Sequence, residues 1–304
     1  MKIIVTGGSG LIGQALTAAL IQDGHQVWVL TRRPQEVQLL PGVEAVAWDG
    51  KTPQGWLHLV EQADAIINLA GANIGERPWT NERKRIIRSS RTDAGAAIVS
   101  ALQNSAKKPA VVLQIAGVGY YGPHNDEILD EGSALGSDFL AGVARDWENA
   151  TKPVAEMGVR HVIMRCGVVL TSEKGGVLDK FLLQHRLFVG GPLGSGKQWI
   201  SWIHMQDLVN SFRFFLERED ASGVFNVVAP APVTNGTFGR VLGKVMRRPY
   251  WLPVPGFALK LLLGEMSALV LTGQRVLPKR LQELGFQFRY PELRQALEEI
   301  LQKA

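Results

Sequence analysis

The amino terminus constrains this chain more than any other segment: the apolar strand Lys2-Ile3-Ile4-Val5-Thr6 runs into Gly7-Gly8-Ser9-Gly10-Leu11-Ile12-Gly13, and an apolar helix comes next. Leu11 to Gln22 has helical periodicity, with Leu11, Ile12, Ala15, Leu16, Ala19 and Leu20 on one face, and Gly24 ends it. A strand that turns through glycines into a helix gives a phosphate two things. The backbone can approach without a Cβ in the way, and the helix start offers N–H groups that have no partner inside the helix. The strand before the glycines and the helix after them are the context that the motif requires.

The run fits two spacings at once. Gly8, Gly10 and Gly13 match G-x-G-x-x-G, while Thr6, Gly7, Gly10 and Gly13 match T-G-x-x-G-x-x-G. A second strand, Gln26 to Leu30, is followed by Thr31-Arg32-Arg33 where a ribose-binding carboxylate is expected. A carboxylate there would repel a 2′-phosphate, whereas a guanidinium grips it with two parallel hydrogen bonds. NADP is therefore the expected cofactor in preference to NAD, with Arg32 as first candidate and Arg33 as second. Solvated surface arginines are the competing reading.

The 304 residues are 46% hydrophobic and 20% charged, and a chain of this size buries enough surface to need no disulfide or metal staple. Cys166 is the single cysteine and the six histidines show no metal-ligand spacing, so no metal site is expected. Met1-Lys2 leads straight into a short strand, which argues against a signal peptide and makes the cytoplasm the expected location. The longest apolar stretch, Phe257 to Leu271, is interrupted by Lys260, Gly264 and Glu265 and falls short of a bilayer span. It reads as a buried helix, and no membrane partner is expected. The net charge of +5 is dispersed apart from Arg83 to Arg88 and Pro278 to Arg280, which favours a phosphate-bearing cofactor or anionic substrate over nucleic acid.

Further strands are expected at Glu44 to Trp48, Ala65 to Leu69, Ala110 to Ile115, Arg160 to Val169 and Val224 to Val228, with helical patterns between them. This alternation describes an α/β fold, a Rossmann-like doubly wound parallel sheet. Beyond Leu170 the alternation stops. The expected division is a nucleotide-binding domain of residues 1–170 with 205–230, and a smaller mixed carboxy-terminal substrate lobe of 171–204 and 231–304. Pro230-Ala231-Pro232 and Leu252-Pro253-Val254-Pro255 read as stiff linkers.

Several segments together carry a family resemblance: Asn68-Leu69-Ala70-Gly71, Gly119-Tyr120-Tyr121-Gly122, Arg165 to Leu170 and Trp202 to Leu208. They resemble landmarks of the extended short-chain dehydrogenase/reductases. Ser90-Arg91, Gly190 to Gly196, Asn226 to Asn235 and Leu277 to Leu281 with Gly285-Phe286 narrow the likeness to an atypical subfamily similar to NAD-dependent epimerases and dehydratases. The resemblance covers nearly the whole chain. It implies that Gly7, Gly10, Leu11, Ile12 and Gly13 surround the pyrophosphate, that Thr31, Arg32 and Arg33 meet the adenosine phosphate, and that Leu69 and Ala70 border the cofactor. Arg91 is a further phosphate candidate, and Asp49 is either an adenine contact or an exposed turn aspartate. Arg165 falls where its strand approaches the nicotinamide end, with a structural salt bridge as the equal alternative. Many relatives of this kind pair through helices of the sheet layer, which makes a homodimer one expected state, but no apolar stripe in the sequence marks such an interface.

The chain departs from the wider family at the catalytic set, a Ser or Thr after the fifth strand and a Tyr-x-x-x-Lys on the next helix. The serine position falls at Ala116 or Gly117, the helix reads Phe139-Leu140-Ala141-Gly142-Val143, and none of the four tyrosines has a lysine four residues later. A phenol must be brought from a pKa near 10 toward 7, worth about 4 kcal/mol, before it works as an acid or base, and Phe139 has no proton to give. Tyr120, Tyr121, Lys197 and His204 are the substitute candidates, against packing or solvation as their plain roles. The catalytic residues are not assigned by the sequence.

Gly191 to Lys197 has the glycine-lysine spacing of a P-loop, but Gln198 stands next in place of Ser or Thr and the flanking strand and helix are lacking, so it reads as a lid or substrate loop. Trp199 and Trp202 at its end can stack a sugar or base, or simply pack. Two functions remain open: an NADP(H)-dependent redox enzyme or epimerase acting on a small polar carbonyl or nucleotide-sugar-like substrate, and a catalytically silent NADP(H)-binding sensor or regulator.

Overall fold

Seven parallel strands form the central sheet: β1 (Lys2–Thr6), β2 (Gln26–Thr31), β3 (Val43–Ala47), β4 (Ala65–Asn68), β5 (Val111–Gly117), β6 (Arg160–Cys166) and β9 (Gly223–Val227). They lie in the order β9-β6-β5-β4-β1-β2-β3 in this computed structural model, which describes residues 1–37 and 40–302. Alternate strand residues point to opposite faces, and both faces are dry. Ile3, Val5, Val27, Val29, Ile67 and Leu113 face one core, into which α1 (Leu11–Gln22) and α5 (Met205–Glu217) send Leu16, Leu20, Leu208 and Phe212. Ile4, Trp28, Leu30, Ile66 and Val112 face the other, covered by Ala94, Ala97 and Ile98 of α2 (Asn81–Gln103). Helices on both faces are what parallel strands without polar alternation require.

The order reverses between β1 and β4, which opens a crevice at their carboxyl ends. Helix starts at that end are capped locally. Thr80 Oγ1 accepts from Arg83 N at 3.1 Å at the head of α2, and Asp138 Oδ1 accepts from Ala141 N at 2.8 Å at the head of α3 (Phe139–Thr151). At α1 the capping residue is Gly10, with no side chain to offer.

The expected strand Arg160 to Val169 is two strands in different sheets. It breaks at Gly167, where a Cβ would collide with Val228 and the Ser201 backbone, and Val168–Leu170 (β7) leaves to pair in parallel with Trp202–His204 (β8). These strands, with α4 (Val177–Arg186), α6 (Asn235–Met246) and α8 (Leu293–Gln302), bury Leu170, Leu178, Trp202, Phe238, Leu242 and Leu297 together as a second core. Leu281 and Phe286 join the core beside the sheet instead. Val254, in one expected linker, bridges Leu193, and the carbonyl of Ala231, in the other, accepts from Trp202 Nε1 at 3.0 Å.

The expectation of a buried helix over Phe257 to Leu271 is overturned. Gly256–Leu263 (α7) has no buried residue, and Phe257, Leu261 and Leu262 are 76%, 87% and 80% exposed. The chain breaks at Gly264, and in the segment after that glycine Met266 and Leu269 pack against the Trp79 and Ile87 cluster. No described helix is long and apolar enough to cross a membrane.

On β6, His161 is buried with its Nε2 lacking a hydrogen-bond partner among the described residues. Burial lowers its imidazole to about 4. The folded protein therefore keeps the ring neutral where the unfolded chain, near 6.5, takes up a proton. Stability from this site is complete above pH 6.5 and is lost as the pH falls toward 4. Urea midpoints measured across that window should drop, by at most roughly 3 kcal/mol in unfolding free energy, and His161→Phe should flatten the drop.

Candidate cofactor cradle and reaction site

The turn after β1 is closed by steric constraints that only glycine satisfies. Gly7 has φ +68°, and a Cβ on it would stand 2.8 Å from the Leu69 carbonyl carbon, so β4 and the turn touch backbone to backbone. A Cβ on Gly13 would overlap the Gly7 carbonyl and the Gly8 backbone, which is how α1 packs so close to the strand. Gly10 N donates to Gly7 O at 3.0 Å, and the ladder of α1 begins with Gln14 N to Gly10 O at 2.9 Å. The N–H groups of Leu11, Ile12 and Gly13 thus face the crevice at the positive end of the helix. This is a geometry fitted to a diphosphate.

At the end of β2, Thr31 is buried and its Oγ1 accepts from Arg33 N at 3.3 Å, which fixes the turn. Arg33 is engaged with Glu36 at 3.0 Å, whereas Arg32 is exposed and forms no ion pair with a described residue. Asp49 is exposed, and its carboxylate accepts from Lys51 N and Thr52 N, both at 2.8 Å. Those backbone hydrogen bonds hold it below the usual carboxylate range and make it a turn aspartate.

Leu69 and Ala70 stand opposite Gly7. Ala70 N donates to Thr6 Oγ1 and Asn68 Oδ1 at 3.3 and 3.2 Å, and Asn68 Nδ2 donates to Gln114 Oε1 at 2.7 Å. A buried polar ladder therefore ties β1, β4 and β5 together at the crevice. Beneath it lies Arg91, 9% exposed, whose Nη1 donates to Ile87 O at 2.7 Å and Ala72 O at 3.1 Å. Its guanidinium lies 4.6 Å from the Trp147 ring centroid, and no carboxylate is in ion-pair reach among the described residues. Burial, and then the charge of Arg83, lower it to about 10. It holds the loop after β4 against α2.

Arg165, near the carboxyl end of β6 and paired in register with Ala116, is committed to partners within the protein. Its Nε and Nη2 donate to the two carboxylate oxygens of Glu148 at 2.8 and 2.9 Å, and Nη1 donates to Tyr121 Oη at 3.0 Å. Burial alone would lower Arg165, and the bidentate Glu148 overrides that and raises it. Tyr121, raised by burial, donates in turn to Asn226 Oδ1 at 2.7 Å. The salt-bridge reading describes this side chain. Its other face carries the Tyr120 ring, 3.3 Å from guanidinium carbon to centroid. Tyr120 is half-buried, and its hydroxyl makes no hydrogen bond with a described residue.

The position where a catalytic tyrosine was expected from the sequence carries hydrocarbon. Phe139, first residue of α3, meets Trp79 edge to face at 5.1 Å, with Val143 buried in the same cluster and Lys84 Nζ 5.3 Å from the Phe139 centroid. His204 serves as the helix cap of α5, its Nδ1 accepting from Gln206 N at 3.1 Å and its Nε2 meeting Glu299 at 3.0 Å. Lys197 lines a cavity of about 530 Å³ with His124, Asn125, Asp126, Gln198 and Thr272. Trp199 stands beside it, donating to Asp126 at 2.9 Å, whereas Trp202 is core. In the loop before Lys197, a Cβ on Gly191 would overlap the Leu252 backbone, so the P-loop-like glycine serves packing. Sequence reading missed Glu148 and Trp147, which orient Arg165 and Arg91; the inward face of α3 was their only signal.

Breaking the buried pair leaves an uncompensated cation. Glu148→Ala should cost about 3–5 kcal/mol of unfolding free energy, whereas Glu148→Ala with Arg165→Met should recover much of it. Urea denaturation of the single and double variants measures both.

Comparison with known proteins places this geometry. The NAD dependent epimerase/dehydratase family matches residues 3–228, and a domain of unknown function (DUF1731) matches residues 254–300. An epimerase family protein SDR39U1 homolog, chloroplastic, from Arabidopsis thaliana is 42% identical over 99% of this chain and 87% of its own length. The epimerase family protein YfhF of Bacillus subtilis is 40% identical over 99% and 98%. Among solved structures, human epimerase family protein SDR39U1, crystallised with NADPH, superimposes with a TM-score of 0.87 at 33% identity over the whole of both chains. With the glycine turn and the seven-stranded sheet inside the matched residues and relatives 42% and 40% identical along nearly the whole chain, the chain belongs to the NAD-dependent epimerase/dehydratase family.

Proposed function

We propose that this protein binds NADP(H) in the crevice between β1 and β4 and uses it as a redox enzyme or epimerase on a small polar carbonyl or nucleotide-sugar-like substrate. The observation that carries the reading is the pairing of a bare helix start at Gly10 with an exposed Arg32 that no described carboxylate neutralises. The N–H groups of Leu11, Ile12 and Gly13 hold the diphosphate, Thr31 fixes the turn that presents Arg32 to the 2′-phosphate, and Leu69 and Ala70 border the ring end. Arg33 and Arg91 take supporting places, Arg91 by holding the loop after β4 and by lending an unneutralised positive charge. The human relative crystallised with NADPH supports the cofactor choice.

The cofactor supplies or accepts a hydride when bound, and the protein must then move a proton. Tyr120 is our candidate for that work, since its hydroxyl reaches solvent beside the carboxyl end of β5 and its ring is fixed on the Arg165 guanidinium. The cavity between the 123–126 and 195–198 segments, with Asp126, Lys197 and Gln198 on its walls, suits a polar substrate. Residues 205–230 serve the cofactor domain in this reading, and 171–204 with 231–304 form the substrate lobe. A cytoplasmic location and a homodimer belong to the same proposal.

A second reading has one specific observation in its favour: Phe139 and Val143 make the usual acid–base position apolar, which a cofactor-binding sensor tolerates and a standard reductase does not.

Incubating the purified protein with NADPH and a panel of carbonyl compounds and sugar nucleotides, while following nicotinamide absorbance, separates the two. The redox reading expects substrate-dependent oxidation, and Tyr120→Phe should lower kcat about 10²-fold with NADPH affinity unchanged. Tight NADPH binding with no turnover across the panel would favour the sensor.

A further inference from the structure

Two helix ends in the carboxy-terminal lobe are built against backbone preference, and both lie at one place on the surface. α4 ends with Phe188 N donating to His185 O and Val189 N to Gln184 O, a closure whose left-handed residue is normally glycine. Here it is Phe188, φ +62°. α6 ends the same way, with Arg247 N to Lys244 O and Arg248 N to Gly243 O, and its left-handed residue is Arg247, φ +55°. They are the only non-glycine residues with positive φ among the described residues. Such a conformation costs of order 1 kcal/mol for a bulky side chain, and burial does not repay it: Phe188 is 52% exposed and Arg247 is exposed. The Arg248 guanidinium lies 4.5 Å from the Phe188 centroid, joining the two ends.

Apolar surface runs outward from this point. Trp251, 64% exposed, donates from Nε1 to Phe188 O at 3.0 Å, and the chain continues through Pro253 and Pro255 into α7, whose Phe257, Leu261 and Leu262 stand almost wholly in solvent. Helix α7 fully buries none of its residues: Ala258, Leu259 and Leu263 are half-buried on its inner face, while Phe257, Leu261 and Leu262 point outward. Apolar exposure on this scale marks a surface that meets something else.

The charge around it selects the partner. Residues 180–206 and 221–264 contain eight lysines and arginines and no aspartate or glutamate, which leaves more carboxylates than cations in the rest of the chain. None of the eight forms an ion pair with a described residue, and Arg186, Lys244, Arg247, Arg248 and Lys260 are all exposed. Glu265, the first carboxylate after α7, is bound by Lys84. A second copy docking through this face would set cations against cations with nothing to neutralise them, since a two-fold interface repeats the same patch on both sides. An anionic bilayer surface supplies both an apolar layer for the aromatic and leucine side chains and negative headgroups for the cations.

We propose that Phe188, Trp251 and α7 form a surface for peripheral docking on an anionic lipid bilayer, with Arg186, Arg247, Arg248 and Lys260 gripping headgroups. On this proposal the chain lies on the bilayer and does not cross it, in keeping with the lack of a spanning helix among the described residues.

Vesicle sedimentation of the full chain tests the proposal, with phosphatidylcholine alone and phosphatidylcholine mixed with phosphatidylglycerol. Binding is expected only to the mixed vesicles and is expected to fall at high salt. Phe257→Glu with Leu261→Glu should lower the bound fraction about tenfold. Phe188→Gly with Arg247→Gly is the sharper pair, because glycine suits both backbone positions: bound fraction should fall about tenfold while the urea midpoint stays level or rises. The proposal is overturned by equal sedimentation with neutral vesicles, by no sedimentation with anionic ones, or by binding that both variant pairs leave intact. It is equally overturned if light scattering shows a dimer that Phe257→Glu with Leu261→Glu dissociates while vesicle binding is absent.

Discussion

The backbone contact between the turn after β1 and the end of β4 is the constraint on which the site depends. Gly7 stands against the Leu69 carbonyl because neither a side chain nor a right-handed backbone fits there, and Gly13 lets α1 close over the same turn. With the turn pinned, the first N–H groups of α1 point into the crevice where the strand order reverses. The Thr6, Asn68 and Gln114 ladder then fixes β4 and β5 relative to that turn. Substituting Gly7 or Gly13 would displace backbone, not a flexible side chain, so the site and the sheet packing would fail together.

A second rigid unit stands on the other side of the crevice. Glu148 holds Arg165 bidentately, Tyr121 bridges Arg165 to Asn226, and the Asn226 amide donates to Glu131 at 2.9 Å. This chain of bonds links α3, β6, β9 and the loop after β5. It leaves the Tyr120 ring on a fixed cationic platform with its hydroxyl free of described partners. At the head of α3, where the sequence comparison expects a Tyr–Lys pair, Phe139 packs on Trp79 and Val143 is buried beside it, so neither side chain can move a proton. Fold membership alone therefore does not transfer an activity.

The sheet was legible because parallel strands buried on both faces write themselves as apolar runs, and the glycine turn because its steric demands admit one residue type. The exposure of Arg32 follows from its place in the turn after β2. What the sequence concealed was side-chain commitment across the fold. Nothing in the spacing says that Arg165 meets Glu148, seventeen residues away on a helix, or that Arg91 stacks on Trp147. The helix Gly256–Leu263 misled for a complementary reason: hydrophobicity predicts a wish for burial but does not say whether the chain supplies the cover.

The central claim is that the end of β2 selects the phosphorylated cofactor. Calorimetric dissociation constants for NADPH and NADH, measured on the unaltered protein and on Arg32→Asp, test it directly. The account predicts NADPH binding at least about tenfold tighter than NADH, with the preference erased or reversed by the substitution. Equal constants for the two cofactors on the unaltered protein, or a preference that survives Arg32→Asp, would contradict it.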